Sequence, residues 1–144
     1  MAGWGGFLRL HTVLHGELDR RLTRDTGITL STYDVLSRLA WAGDEGMRMG
    51  ELCRQVMMTS GGLTRLADRL ERDGLIARER CADDLRGYYA SITPAGRKLL
   101  KRANRAHLAA VRELFLDHVS EEELRVLGGV WGRVMEAAGS EAPA

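Results

Sequence analysis

A chain of 144 residues is long enough for one domain with a real core and too short for two comfortable ones. Its hydrophobic content of 44% sets it apart from disordered chains, no apolar run approaches a membrane span, and two cysteines make no disulfide framework, so a cytoplasmic protein is the expectation. The net charge of +1 speaks against a nucleic-acid partner only until its distribution is read: residues 47–102 hold 12 Lys/Arg against 7 Asp/Glu, whereas the segments on either side are net acidic.

Residues 3–24 read as one long helix, with Trp4, Leu8, His11, His15, Leu18 and Leu22 on one side and Gly27 marking the break after it. A second helix is expected to start at a Ser31 cap, with Asp34 in a capping-box-like position, and to stop near Gly43. Met47–Met49 reads as a short strand. A short helix over residues 49–56 follows, with Leu52 and Val56 inward, and then a tight Met57-Met58-Thr59 turn.

The stretch TSGGLTRLADRLERDG, residues 59–74, is the centre of the chain. Thr59 or Ser60 can cap its helix, and Gly74 sits where a left-handed C-terminal residue is wanted. Leu63, Leu66, Ala67 and Leu70 make one apolar face; Gly62, Thr64, Arg65, Asp68, Arg69 and Arg72 make the other. Gly61 and Gly62 each cost about 1 kcal/mol relative to alanine inside a helix, a cost that makes sense where another body approaches the backbone closely. The plainer reading is a surface helix with a softened start. The flanks favour the first reading, because two helices joined by a tight turn are laid out as a helix–turn–helix. Residues 75–80 and 88–92 then alternate as two strands around the polar turn CADDLRG, which makes a hairpin wing.

Thr93 with Pro94 is a strong helix start, and that helix is expected to run to about Asp117. Ser120 and Glu123 form a capping box opening a last helix to about Ala137, before a frayed tail. The fold expected is therefore mainly α with a small β-hairpin wing (α+β). It is a single domain over residues 1–144, with the winged helix–turn–helix at 30–92 between long helical segments at 1–24 and 93–138. Those helices carry apolar faces wider than the small head can cover. Pairing with a second copy is the simplest solution, and folding back on the same chain is the other.

RLADRLERDGLIARERCADDLRGYYASITPAGRKLL resembles the signature region of the MarR family of bacterial transcriptional regulators. The matching features are the LxxRLxxxGLIxR helix exit, the DxR wing and the ITPAGR start of the next helix, and the likeness extends more loosely over nearly the whole chain. The family wing commonly has two adjacent arginines after its aspartate, whereas here Asp84 is followed by Leu85 and then Arg86. The resemblance implies a homodimer joined by its terminal helices that binds a double-stranded, pseudo-palindromic operator as a repressor relieved by a small-molecule effector.

On the DNA side, Ser60, Gly61, Gly62, Thr64 and Arg65 suit the major groove and Arg69 a phosphate, with Thr59 at the helix start counted among the DNA-binding residues. Arg86, steadied by Asp84, suits the minor groove, although that pair would also serve as a turn stabiliser. Arg54, Arg78 and Arg80 are either phosphate contacts or solvated charges. For an effector, the resemblance implies a pocket between the terminal helices and the head. His11, His15, Tyr33 and Trp41 are its candidate walls, with core packing the alternative for Tyr33 and Trp41.

No cofactor or metal is expected. His11 and His15 have i, i+4 spacing, but a third ligand would have to come from His107, His118 or an acid. Cys53 and Cys81 raise a redox switch; relatives that use one carry a cysteine near the start of the first helix, where this chain has none. No P-loop, metal-protease spacing, nucleotide fingerprint or serine elbow marks an enzyme. The alternatives kept are a metal- or redox-responsive regulator of the same fold and a winged-helix protein–protein interaction module.

Overall fold

Caps and turns set most element boundaries. The computed structural model describes residues 2–81 and 87–139. Its order is α1 (Ala2–Thr26), α2 (Leu30–Trp41), β1 (Met47–Arg48), α3 (Met49–Gln55), α4 (Ser60–Arg72), β2 (Ile76–Arg80), β3 (Tyr88–Ile92), α5 (Pro94–Leu114) and α6 (Glu121–Ala137), with single 3-10 turns at Gly43–Glu45 and Leu116–His118. The strands form an antiparallel sheet in the order β1-β3-β2, pairing Arg48 with Tyr89, Ile76 with Ile92 and Arg80 with Tyr88. This is the mainly α architecture with a small β wing that the sequence predicts.

Helix α1 runs on to Thr26, two residues past its expected end, and two further boundaries differ from expectation. Helix α2 is capped by Thr29, not Ser31: Thr29 has extended backbone and its Oγ1 accepts the Thr32 N–H at 3.2 Å, while Ser31 already lies inside the first turn. The Leu30 N–H is taken instead by Asp19 Oδ1 of α1 at 2.7 Å, so two helices share one helix start. Helix α5 ends at Leu114 rather than Asp117, because Phe115 leaves helical geometry (φ −135°) and the next residues tighten into a 3-10 turn. The other starts follow the local chemistry. Thr93 Oγ1 accepts the Gly96 N–H at 3.1 Å and donates to the Gly74 carbonyl at 2.6 Å, and Ser120 with Glu123 makes a full capping box. A Cβ on Gly96 would run into the Leu75 carbonyl, so only glycine lets α5 start this close to the residue that leads into β2.

The chain divides into two compact units, one up to Leu108 and one from Ala109. The first holds the core: Leu22 of α1, Leu36 and Leu39 of α2, Leu52 of α3, Leu63 and Leu70 of α4, and Ile76 and Ile92 of the sheet are all buried. Burying each such side chain stabilises by roughly 1.5–3 kcal/mol. The second unit comprises the end of α5, the 3-10 turn and α6, and α6 has no buried residue.

Candidate nucleic-acid interface

Helix α4 is held on one side and open on the other. Thr59 is its cap, accepting the Gly62 N–H at 3.1 Å, which settles the choice between Thr59 and Ser60. Gly74 takes a positive φ of 70° just after its last turn. Leu63, Leu66, Ala67 and Leu70 are buried against the core, while Ser60, Gly61, Thr64, Arg65 and Arg69 are exposed. The two glycines are there for different reasons. A Cβ on Gly62 would stand 2.9 Å from Thr59 Oγ1 and crowd the cap, whereas one on Gly61 would meet nothing. Gly62 is therefore crowded from within the chain, and Gly61 is open to solvent.

The charges around α4 divide in the same way. Arg65 and Arg69 have no ion pair or hydrogen bond among the described residues. Arg78 of β2 is tied down: its guanidinium meets Asp68 at 2.6 Å and Glu71 at 2.6 Å, and its backbone N–H donates to Glu71 Oε1 at 3.2 Å. Glu71, the dominant partner, pushes the Arg78 pKa above its ordinary value. Arg54 is likewise paired with Glu51. Of the arginines whose role the sequence leaves open, Arg54 and Arg78 are therefore internal ties. Arg78 clamps the sheet to α4 and fixes the angle between them.

A groove of about 800 Å³ opens between the sheet, α3 and α4, lined by Arg48, Glu51, Arg54, Thr64, Tyr88 and Tyr89 among others. The wing residues Asp84 and Arg86 lie outside the described residues.

A helix–turn–helix with an exposed cationic second helix and a sheet beside it is a nucleic-acid-reading arrangement, and comparison with known proteins carries it further. A sequence model described as MarR family matches residues 26–87. An uncharacterised HTH-type transcriptional regulator of Bacillus cereus is 30% identical, over 77% of this chain and 72% of the relative. The crystal structure of Sco3205, a MarR family transcriptional regulator from Streptomyces coelicolor in complex with DNA, is 33% identical with a TM-score of 0.87, over 94% of this chain and 85% of that one. The chain belongs to the MarR family of transcriptional regulators. AbsC, another MarR family regulator of Streptomyces coelicolor, is 28% identical with a TM-score of 0.84, over 95% of this chain and 92% of that one.

Within this MarR-family frame, the candidate effector residues separate. A cleft of about 450 Å³ lies between α1, the start of α2 and α4, walled by His15, Asp19, Ser31, Met58, Arg65 and Arg69. His15 is in it. His11 stands one turn earlier, its ring 6.0 Å from that of His15, at the end of a ladder that continues through Phe7 to Trp4. Tyr33 is elsewhere: its hydroxyl donates to Asn104 Oδ1 at 2.7 Å and its ring packs 4.5 Å from His107 of α5. Burial pushes the Tyr33 phenol up and the His107 imidazole down. Trp41 is 78% exposed at the last residue of α2, so the core role open to it in the sequence is not the one it has. Among the described residues no third His, Cys, Asp or Glu joins His11 and His15 into a metal-binding set. Cys53 donates its thiol to the Met58 carbonyl at 3.0 Å inside the helix–turn–helix, and Cys81 is buried.

Sequence reasoning missed the pairing of Arg48 with Tyr89 and of Arg80 with Tyr88, and the wall that Arg65 and Arg69 share with His15. The tyrosines facing arginines across predicted strands are the signal that was available for the first. Nothing local signals the second.

Proposed function

We propose that this regulator is a homodimeric repressor that reads a pseudo-palindromic operator with two copies of α4 and releases it when a small-molecule effector binds. The observation that carries the reading is the outward face of α4. Ser60, Thr64, Arg65 and Arg69 are exposed there, and neither arginine is neutralised among the described residues, while nearby arginines are. Arg65 is assigned to base edges with Thr64, Arg69 to a phosphate, and Arg86 with Asp84 to the minor groove. The relative crystallised with DNA supports this use of the fold.

Two further observations support the dimer and the effector. Trp4, Phe7 and Leu8 on α1, and Val130, Trp131 and Val134 on α6, are exposed, and apolar surface of this extent favours a second copy. The terminal helices, residues 1–24 and 93–138, are thus the proposed dimerisation elements. The cleft at His15 shares Arg65 and Arg69 with the reading face. A small anion held there would engage the same two cations as DNA, so it would favour the unbound arrangement by differential affinity.

Selection of bound sites from a random duplex pool tests the reading, with Arg65→Ala and Arg86→Ala alongside. An inverted repeat with half-sites about one helical turn apart is expected. Arg65→Ala should relax base preference, and Arg86→Ala should weaken all sequences more evenly. Failure to enrich any site, with or without added ligands, would sink the operator reading.

A further inference from the structure

The turn between α3 and α4 is closed by one methionine and strained by the other. Helix α3 ends in a Schellman motif: the Met58 N–H donates to the Cys53 carbonyl and the Met57 N–H to the Arg54 carbonyl, both at 3.4 Å. The Cys53 thiol returns a bond to the Met58 carbonyl at 3.0 Å, and the Met58 side chain packs against the core. Met57 takes the left-handed position that this motif favours for glycine, at a φ of 53°. Among the described residues no other non-glycine residue has a positive φ. Its side chain is 93% exposed, so no packing within the chain offsets that strain. Single exposed apolar side chains are ordinary on a protein surface, but not on a strained backbone where glycine would fit. Met57 precedes the Thr59 cap of α4, at the end of the reading helix that contacts base edges when a helix–turn–helix docks. Ser60, Gly61 and Thr64, which follow it, are exposed.

We infer that Met57 is a specificity-determining residue of the head, its thioether side chain meeting the C5-methyl of a thymine in each half-site of the operator. The inference rests on the DNA-reading role proposed above and extends the reading face back past the start of α4. Chemistry selects the occupant. A methionine side chain has no donor and only a weak acceptor, so it cannot hold a phosphate. The apolar feature that base edges present in the major groove is the thymine methyl. An unbranched, polarizable side chain adapts to such a contact across a small gap. Strain held at one residue for a contact made only in the complex is a cost to the free protein and a gain to the bound one.

The test is a cycle between side chain and methyl. Wild type, Met57→Gly, Met57→Asn and Met57→Leu are measured on the selected operator, on copies with each thymine in turn replaced by uracil in both half-sites, and on an unrelated duplex. Met57→Gly and Met57→Asn, which both tolerate the left-handed turn, should weaken the operator at least about fivefold and leave the unrelated duplex unchanged. One uracil position should cost wild type a similar factor and cost Met57→Gly nothing further. Met57→Leu, apolar and of similar volume, should keep both the affinity and the uracil penalty. Thermal unfolding should place Met57→Gly at or above wild type, which separates loss of contact from loss of fold; the uracil series on wild type needs no variant at all. Wild-type operator affinity in folded Met57→Gly or Met57→Asn overturns the inference. So does an equal loss on both duplexes, or a uracil penalty that Met57→Gly leaves intact at every position. If wild type itself retains no duplex selectively, it is the DNA-reading role that fails, and this inference falls with it.

Discussion

Helices α4 and α6 are built from the same elements and end up in opposite situations. Each starts at a hydroxyl cap, Thr59 or Ser120, and each carries an apolar stripe at helical spacing. In α4 the stripe is buried, with Leu63 at 1% and Leu70 at 2% exposure, and the charged side is left to solvent. In α6 no residue is buried, and Val126, Val130, Trp131 and Val134 are exposed. The same periodicity therefore serves two ends. Where the chain itself covers the apolar side, what remains for a partner is cationic and suits an anion; where it does not, what remains is apolar and suits protein.

Truncation on the two stripes is the strongest way to break this contrast. Leu63→Ala should lose about 2–5 kcal/mol, since a fully buried leucine leaves a cavity. Val134→Ala, at 60% exposure, should stay within about 0.5 kcal/mol in dilute protein. Chemical denaturation monitored at low concentration reads both, and equal losses would erase the distinction. Next in size, Trp131→Glu should convert a concentration-dependent dimer to monomer in sedimentation and weaken a two-half-site operator at least about tenfold, with a single half-site unaffected, because the linked second head is lost. An unchanged sedimentation profile would move the proposed interface off α6.

A smaller effect sharpens the account of the head. Arg78→Ala removes the clamp from β2 to α4 and should destabilise by roughly 1–2 kcal/mol, the low end for charged hydrogen bonds, because Asp68 and Glu71 are 48% and 39% exposed. Its binding defect should then follow its thermal midpoint rather than its salt slope. One expected change is a gain. Met57, in the turn between α3 and α4, has a positive φ of 53° and is 93% exposed. A left-handed residue costs about 1–2 kcal/mol, offset in part by the entropy of glycine, so Met57→Gly should raise stability by up to about 1 kcal/mol. A lower melting temperature would show that the methionine side chain has a packing role that its exposure hides.

Most of the fold was legible because its signals act over three or four residues. The hydroxyl cap at Thr59 or Ser60, the Leu63–Leu70 stripe, the Gly74 stop, the Thr93-Pro94 start and the Ser120–Glu123 box are all of this range. The choice of Thr29 over Ser31 was not, since both residues are good caps and the deciding partner, Asp19, lies 11 residues before Leu30. Trp41 could not be placed either: an aromatic at the end of an apolar run reads as core until the chain is seen to turn away after it.

For the candidate site the division is similar. The charged face of α4 was readable, because helical periodicity alone assigns Thr64, Arg65 and Arg69 to one side. Which arginines are tied to carboxylates was not, since Arg78 reaches its partners across 7 and 10 residues. The cleft that joins His15 to Arg65 and Arg69 is built from helices far apart in the chain.

The sequence by itself determined the helix–turn–helix, the wing strands and the cationic face of α4, because hydrophobic period, caps and turn residues are local and bind the backbone within one or two turns. Only the tertiary structure decided which charges are neutralised, which apolar faces stay uncovered and which side chains share a cleft. Those depend on Coulomb and packing partners brought within a few ångströms by folding, and spacing along the chain does not encode that distance.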